Sequence, residues 1–217
     1  MDGIVSELVA GGTLAVYTMV LIAGVSAIYE KMREMGMGEG LAVYISRKLI
    51  HALAAGIATL IVPLAFHTPL IPATLSTLLA VALLAARRKG GMRWFQTSRD
   101  ANEVTFVLSW AASLTAVWLA TRNMTLAIIP PLFISIGDAV TGFARAAIVG
   151  CREKHWIGNL AMAAFTVPVG VLLLGPLWGS VTGLAAAIAE KMDRPVDDNV
   201  AVALVTTVLV VAAAKLG

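Results

Sequence analysis

Three acidic positions stand out in a chain that is otherwise almost all apolar: Asp138, near the end of a long hydrophobic run, Glu190, and the cluster Asp197-Asp198-Asn199. Carboxylates with an asparagine are hard oxygen ligands of the kind that suits Mg²⁺, which takes one or two carboxylates together with substrate phosphates. Asp138, Asp197, Asp198 and Asn199 therefore form a candidate metal set. Arg145 and Lys154 follow Asp138 closely and Arg47-Lys48 lies upstream. Such cations neutralise phosphate oxygens. Phosphoryl transfer asks a protein mainly for positioning and charge stabilisation, so the combination reads as a site for a Mg-nucleotide beside a lipid. An ionisable group at membrane depth is costly, which makes Asp138 a functional candidate in its own right. Plainer roles fit some of the same residues. Asp138 and Arg145 could pair along one helix face. Asp198 or Asn199 could cap the last helix, and Asn102 and Glu103 could cap another. Arg47-Lys48 could anchor a helix end at the headgroups.

The elements that must hold these residues are membrane spans. The chain is 59% hydrophobic and only 13% charged, where a soluble domain carries roughly 25%. Its mean hydropathy is +0.87. A single all-α polytopic domain over residues 1–217 is expected. Runs near 8–29, 49–66, 70–86, 104–120, 124–149, 157–174, 177–189 and 200–214 give about eight spans, with seven to nine compatible. Pro130-Pro131 predicts a kink or break in the fifth. Cys151 stands alone, which excludes an internal disulfide and a cysteine-based zinc site. The first run follows Asp2 and Glu7 and no basic stretch, so no cleavable signal peptide is expected. No dense basic tract marks a nucleic-acid partner.

Charge placement tests this layout. With eight spans, the segments 30–48, 87–103, 145–156 and 190–199 share one side and carry fourteen of the 16 basic residues, leaving Arg122 and Lys215 on the other. The positive-inside rule makes the basic side cytoplasmic. The same side gathers Arg47, Lys48, His51, Asn102, Glu103, Asp138, Arg145, Lys154, Asn159, Glu190, Asp197, Asp198 and Asn199. A transport pathway needs polar groups at the midplane or on both sides, so one-sided clustering points to chemistry at a membrane surface. There is no G-x-x-x-x-G-K-[ST], kinase-type G-x-G-x-x-G or G-x-S-x-G pattern, which excludes the common soluble nucleotide and hydrolase folds.

Four elements in order carry a resemblance. They are Arg47-Lys48-Leu49-Ile50-His51; Gly137-Asp138-Ala139 with Gly150 and Lys154; Trp156-Ile157-Gly158-Asn159-Leu160-Ala161-Met162; and Ala189-Glu190 through Asp197-Asp198-Asn199. Together they resemble the dolichol kinase, phytol kinase and CTP-dependent diacylglycerol kinase family, over the chain from Arg47 onward. Two departures are visible. Ala-Val-Thr-Gly follows Asp138, and His155-Trp156 replaces the usual Lys-Ser/Thr before Gly158. The resemblance implies CTP as donor, Mg²⁺, and transfer of the γ-phosphoryl group to the hydroxyl of a membrane isoprenoid alcohol such as dolichol, a polyprenol, phytol or geranylgeraniol. It implies nucleotide contacts at Arg47, Lys48, Gly137, Arg145, Lys154, Gly158 and Asn159. Asp138 is implied in catalysis, with Glu190, His51 and Glu103 as three open candidates for the group that accepts the alcohol proton. A CTP-dependent diacylglycerol kinase and a phosphatidate or archaeal-lipid cytidylyltransferase are the alternatives. The latter's D-R-x-D-type ending is absent. A small transporter or scaffold is a further alternative, disfavoured by the one-sided acids.

Overall fold

A computed structural model describes residues 2–97, 101–150, 154–192 and 197–217. Arg99, Arg152 and Arg194, used above to orient the chain, lie outside the described residues, as does Cys151. All regular structure among the described residues is helical. The helices are α1 (Asp2–Glu34), α2 (Glu39–Ala65), α3 (Leu70–Arg88), α4 (Asn102–Thr121), α5 (Met124–Ile148), α6 (Trp156–Leu174), α7 (Pro176–Ala189) and α8 (Asp198–Leu216). Seven of them are long and apolar enough to cross a membrane. The protein is thus an all-α polytopic membrane protein.

The exception in length is α7. Its 14 residues rise about 21 Å, against a hydrocarbon core of about 30 Å. It still runs antiparallel to α6 along the bundle, because three glycines remove the side chains that would hold the helices apart. A Cβ on Gly170 would stand 2.5 Å from the Gly179 carbonyl oxygen, and one on Gly183 would stand 2.7 Å from Val167 Cα. Thr166 Oγ1 donates to the Gly183 carbonyl at 2.8 Å across the same seam. Small residues at a helix crossing let backbones approach and hydrogen-bond directly.

The helices extend beyond the apolar runs at their polar ends. The segment 30–48, read as a loop from its charges, is mostly helix, with the turn confined to residues 35–38. Hydropathy marks where a helix leaves the hydrocarbon, not where its hydrogen bonds stop. Lys31 and Arg33 in the last turn of α1 and Glu39 in the first of α2 suit the two helix dipoles.

The most enclosed span is α5, with 78% of its apolar window buried, against 17% for α1. Its Ile129, Phe133 and Ile134 pack with Leu114 and Val117 of α4, Met162 of α6 and Val210 of α8. It is broken as Pro130-Pro131 predicts. Met124–Ala127 and Ile129–Leu132 are separate short helices, followed by a π-helical turn, Phe133–Gly137, before the helix resumes at Asp138. Proline removes backbone donors, which leaves the Leu126 and Ala127 carbonyls without their i+4 N–H partners; within the π-helical turn Ser135 Oγ donates to the Pro131 carbonyl at 2.6 Å. A second π-helical turn, His51–Gly56, interrupts α2. The two turns touch: a Cβ on Gly56 would stand 2.7 Å from Ile136 Cγ1. Two irregular turns in contact bring His51, at the start of one, beside Asp138, at the end of the other.

Replacing Gly179 with valine should force α6 and α7 apart and cost roughly 1–3 kcal/mol or more, read as a drop in thermal unfolding temperature in detergent. Gly12→Ala, where a Cβ meets nothing within 4 Å, should leave it unchanged. Equal melting of both variants would refute the close α6–α7 seam.

Candidate active site

The site forms where α2, α5, α6, α7 and the start of α8 converge. Asp138 is buried, 6% exposed. Lys48 Nζ donates to its Oδ1 at 2.5 Å, and His51 Nδ1 lies 2.8 Å from its Oδ2. Lys48 and His51 are one turn apart on α2, so one helix face supplies both. The Lys48 stem reaches Asp138 by crossing Gly142, where a Cβ would stand 2.5 Å from Cε. The His51 ring stacks on Phe106 of α4, centroids 3.8 Å apart and 10° from parallel. A carboxylate only accepts hydrogen bonds, so Nδ1 carries the proton toward Asp138. In the neutral ring Nε2 is then the acceptor, oriented by Asp138 and Phe106.

A second acid lies beside the first. Glu190, 1% exposed, follows α7 and receives a two-pronged contact from Arg145: Nη1 to Oε1 at 2.9 Å and Nη2 to Oε2 at 2.8 Å. Arg145 can lie there because residue 158 is glycine; a Cβ would come within 2.7 Å of its Cζ. Asn159 Nδ2 donates to the Ala187 carbonyl at 2.6 Å and to Glu190 Oε2 at 3.3 Å. Lys154 Nζ joins the acids to one another, reaching the Glu190 carbonyl at 2.6 Å, Glu190 Oε1 at 3.0 Å and Asp198 Oδ2 at 2.7 Å. Burial alone would lower the Lys154 pKa, but the Asp198 and Glu190 carboxylates outweigh it and raise the pKa above its ordinary value.

Asp138, Glu190 and Asp198 each offer a carboxylate oxygen, and these oxygens lie within 4.8 Å of one another. Three hard donors so close are suited to a divalent cation of the Mg²⁺ type. Here Lys48, Arg145 and Lys154 interleave with them. This differs from the metal set read from the sequence. Asp197 turns away to cap α8, its Oδ1 accepting from the Asn199 backbone N–H at 2.9 Å and from Asn199 Nδ2 at 2.8 Å. Glu190, and not Asp197, offers the third carboxylate oxygen within this distance. Burial and the neighbouring Asp198 charge push the Asp197 pKa up. The Asp138–Arg145 pair is replaced by Asp138–Lys48 and Arg145–Glu190.

A cavity of about 400 Å³ opens onto this array, lined among others by Arg47, Lys48, His51, Asp138, Arg145, Lys154, Asp198 and Asn199. It is within the range of small-molecule sites. Gly137, Gly158, Asn159 and Glu190 stand behind the lining. Gly137 and Gly158 give clearance to Met162 with Thr166 and to Arg145, respectively. Glu103 is outside the cavity, its Oε1 held by Arg87 Nη1 at 2.9 Å and Gln96 Nε2 at 3.0 Å. Tyr44 went unread in the sequence. It lines the cavity one turn before Lys48, whose Nζ is 5.2 Å from its ring centroid. The 44-48-51 spacing on one face was the available signal.

Removing one partner of a buried ion pair strands the other charge, at about 3–5 kcal/mol. Glu190→Leu should therefore lower thermal stability sharply, while Glu190→Leu with Arg145→Met should recover most of it. Additive losses in the double variant would show that the two side chains do not pair. The raised Lys154 pKa gives a pH dependence. Its pairing contribution is complete below the unfolded lysine value of about 10.4 and is lost as pH rises through the higher folded value. The stability gap between the protein and Lys154→Met should hold constant to about pH 10 and shrink above it; a gap that vanishes near neutrality would contradict the assignment.

Comparison of the chain with models of protein families, with curated proteins and with solved structures gives no match.

Proposed function

We propose that the protein is a lipid kinase that moves the γ-phosphoryl group of CTP to the hydroxyl of a membrane isoprenoid alcohol. The observation that carries this reading is the position of His51. It lines both the polar cavity and an apolar groove among α1, α2, α3 and α4. A group with a polar oriented nitrogen at the meeting point of a phosphate-type site and a hydrocarbon-type site suits a substrate with a hydroxyl on a greasy tail.

The roles follow from the geometry. Asp138, Glu190 and Asp198 would hold Mg²⁺, which would supply charge neutralisation and orientation of the triphosphate. Arg47, Lys48, Arg145 and Lys154 face the phosphate oxygens; the cations now resting on the acids are those available to the nucleotide. As the alcohol oxygen bonds to the γ-phosphorus, the bond from that phosphorus to the bridging oxygen breaks and CDP departs with the electron pair. His51 Nε2 takes the alcohol proton, with Asp138 holding the ring and stabilising the imidazolium. Arg47 and Lys48 in the first half of α2 and the basic last turn of α3 lie at the site's end of the bundle, which by the positive-inside rule faces the cytoplasm, where CTP is available.

Membranes holding the protein, given Mg²⁺ and CTP labelled at the γ or the α phosphate, should pass only γ label into an organic-phase prenol. Asp138→Asn and Asp198→Asn should reduce transfer at least about 100-fold while still folding. Label from the α position with pyrophosphate release would make the protein a cytidylyltransferase. Absence of transfer from CTP and ATP to any lipid would defeat the enzymatic reading.

A further inference from the structure

A separate groove of about 570 Å³ runs between the first half of α3 and the last turns of α4, at the end of the bundle away from the acidic array. Thr68, Thr74, Thr77, Thr115 and Trp118 are among its walls. The threonines do not make it polar. Thr77 Oγ1 donates to the Ala73 carbonyl at 2.8 Å, and Thr115 Oγ1 donates to the Ala111 carbonyl at 2.8 Å. These hydroxyls are satisfied inside their own helices, which leaves their methyl groups to line the groove. From Leu70 to Leu78 the groove follows α3 for about 12 Å, close to the depth of roughly 15 Å that one leaflet contributes to the hydrocarbon core. It is open to the surrounding lipid, since Leu70, Thr74, Thr77 and Leu78 are exposed.

The headgroup end of this groove carries a cation on an unusual backbone. Arg122 ends α4 in the left-handed conformation, with φ 54°, and is the one non-glycine residue of positive φ among the described residues. Glycine or asparagine is the usual occupant of such a position. The neighbouring asparagine has other work: Asn123 Oδ1 accepts from the Leu126 backbone N–H at 3.1 Å and starts α5. Arginine thus stands at 122 against backbone preference, and such outliers point to a use for the side chain. Its Cζ lies 4.4 Å from the centroid of the Trp118 ring, one turn back along α4. Because Trp118 is also a wall of the groove, the guanidinium sits on the groove's rim. No carboxylate among the described residues pairs with it. Glu7, at the same end of the bundle, is taken by His67, whose backbone N–H donates to Oε1 at 2.9 Å and whose Nδ1 stands 2.7 Å from the same oxygen.

From the leaflet-deep groove and the guanidinium without an acid on its rim we infer that this is a binding site for one acyl chain of an anionic glycerophospholipid, in the leaflet opposite the acidic array, with the headgroup phosphate on Arg122. Arginine is suited to phosphate, and a tryptophan at the headgroup level supports both parts of such a ligand. A zwitterionic lipid offers the same phosphate but also brings an ammonium group, for which the rim has no unoccupied carboxylate among the described residues. The net negative headgroup is therefore preferred. The site does not depend on the kinase reading, and neither falls with the other.

The test places the full chain in phosphatidylcholine nanodiscs doped with photoactivatable phosphatidylglycerol or photoactivatable phosphatidylcholine, the two carrying the same diazirine-bearing chain, and maps the crosslinked peptides. One basic side chain at a membrane surface changes the affinity for an anionic lipid about fivefold. Labelling of segments 68–78 and 115–119 should favour phosphatidylglycerol by about that factor. In Arg122→Gln the ratio should fall toward one while both probes still label the groove, and Arg122→Lys should restore part of the preference. Arg88→Gln, at the other end of α3, should leave the ratio in this groove unchanged. Thr77→Trp, at a lipid-exposed position, should clear both probes from the groove without altering the thermal unfolding temperature. Equal labelling by the two lipids in the unaltered protein, a ratio indifferent to Arg122→Gln, or labelling that survives Thr77→Trp would each overturn the inference.

Discussion

Charge neutralisation inside a hydrocarbon-facing bundle is the constraint on which the rest of the structure depends. Asp138, Glu190 and Arg145 are all at least nine-tenths buried. Each would be prohibitively costly alone, so each must meet an opposite charge with good geometry. The acids and bases come from different helices: Lys48 from α2, Asp138 and Arg145 from α5, and Glu190 from the end of α7. Satisfying them fixes how those helices approach, rotate and terminate. Lys154 then ties the start of α8 to the same array through Asp198.

Space for these pairs is made by leaving side chains out. Gly142 and Gly158 sit where Lys48 and Arg145 must pass. Lysine and arginine stems are bulky apolar rods, so a charge pair at a helix crossing needs a matching gap on the facing helix. The π-helical turns do the complementary job. Each adds a residue to a helical turn and rotates the remainder of its helix, and together they aim His51 and Asp138 at one another. Irregular helix at membrane depth is tolerated only where protein or a cavity covers it, and here both hold.

Much of this was legible in the sequence. Long apolar runs gave the spans, and the basic segments put the polar residues at one end, because both signals are local and cumulative. The double proline announced the break in α5. Asp138, Lys48, His51, Arg145, Lys154 and Asp198 stand out individually by type and position, and the structure brings them together. The pairing was not legible, because it depends on helix rotation. Asp138 and Arg145 share a helix and suggest a mutual pair, yet two π-helical turns and a facing α2 send them to different partners. Asp197 and Asp198 are adjacent in sequence, but the helix start makes one a cap and the other a member of the array. Gly137 and Gly158 are nucleotide contacts only by the resemblance; in the structure the side chains of Thr166 with Met162 and of Arg145 lie against them, which no motif announces.

The brevity of α7 has a consequence for the bilayer itself. A helix about 10 Å shorter than the hydrocarbon thickness cannot reach both headgroup layers unless the lipid around it deforms. Hydrophobic mismatch of this sign is relieved by local thinning. The thinned patch would lie next to Glu190, at the end of α7, and would draw water and headgroups down toward the acids. A molecule with a water-soluble half and a lipid-soluble half would there travel a shorter distance between its two solvents than anywhere else on the protein's perimeter.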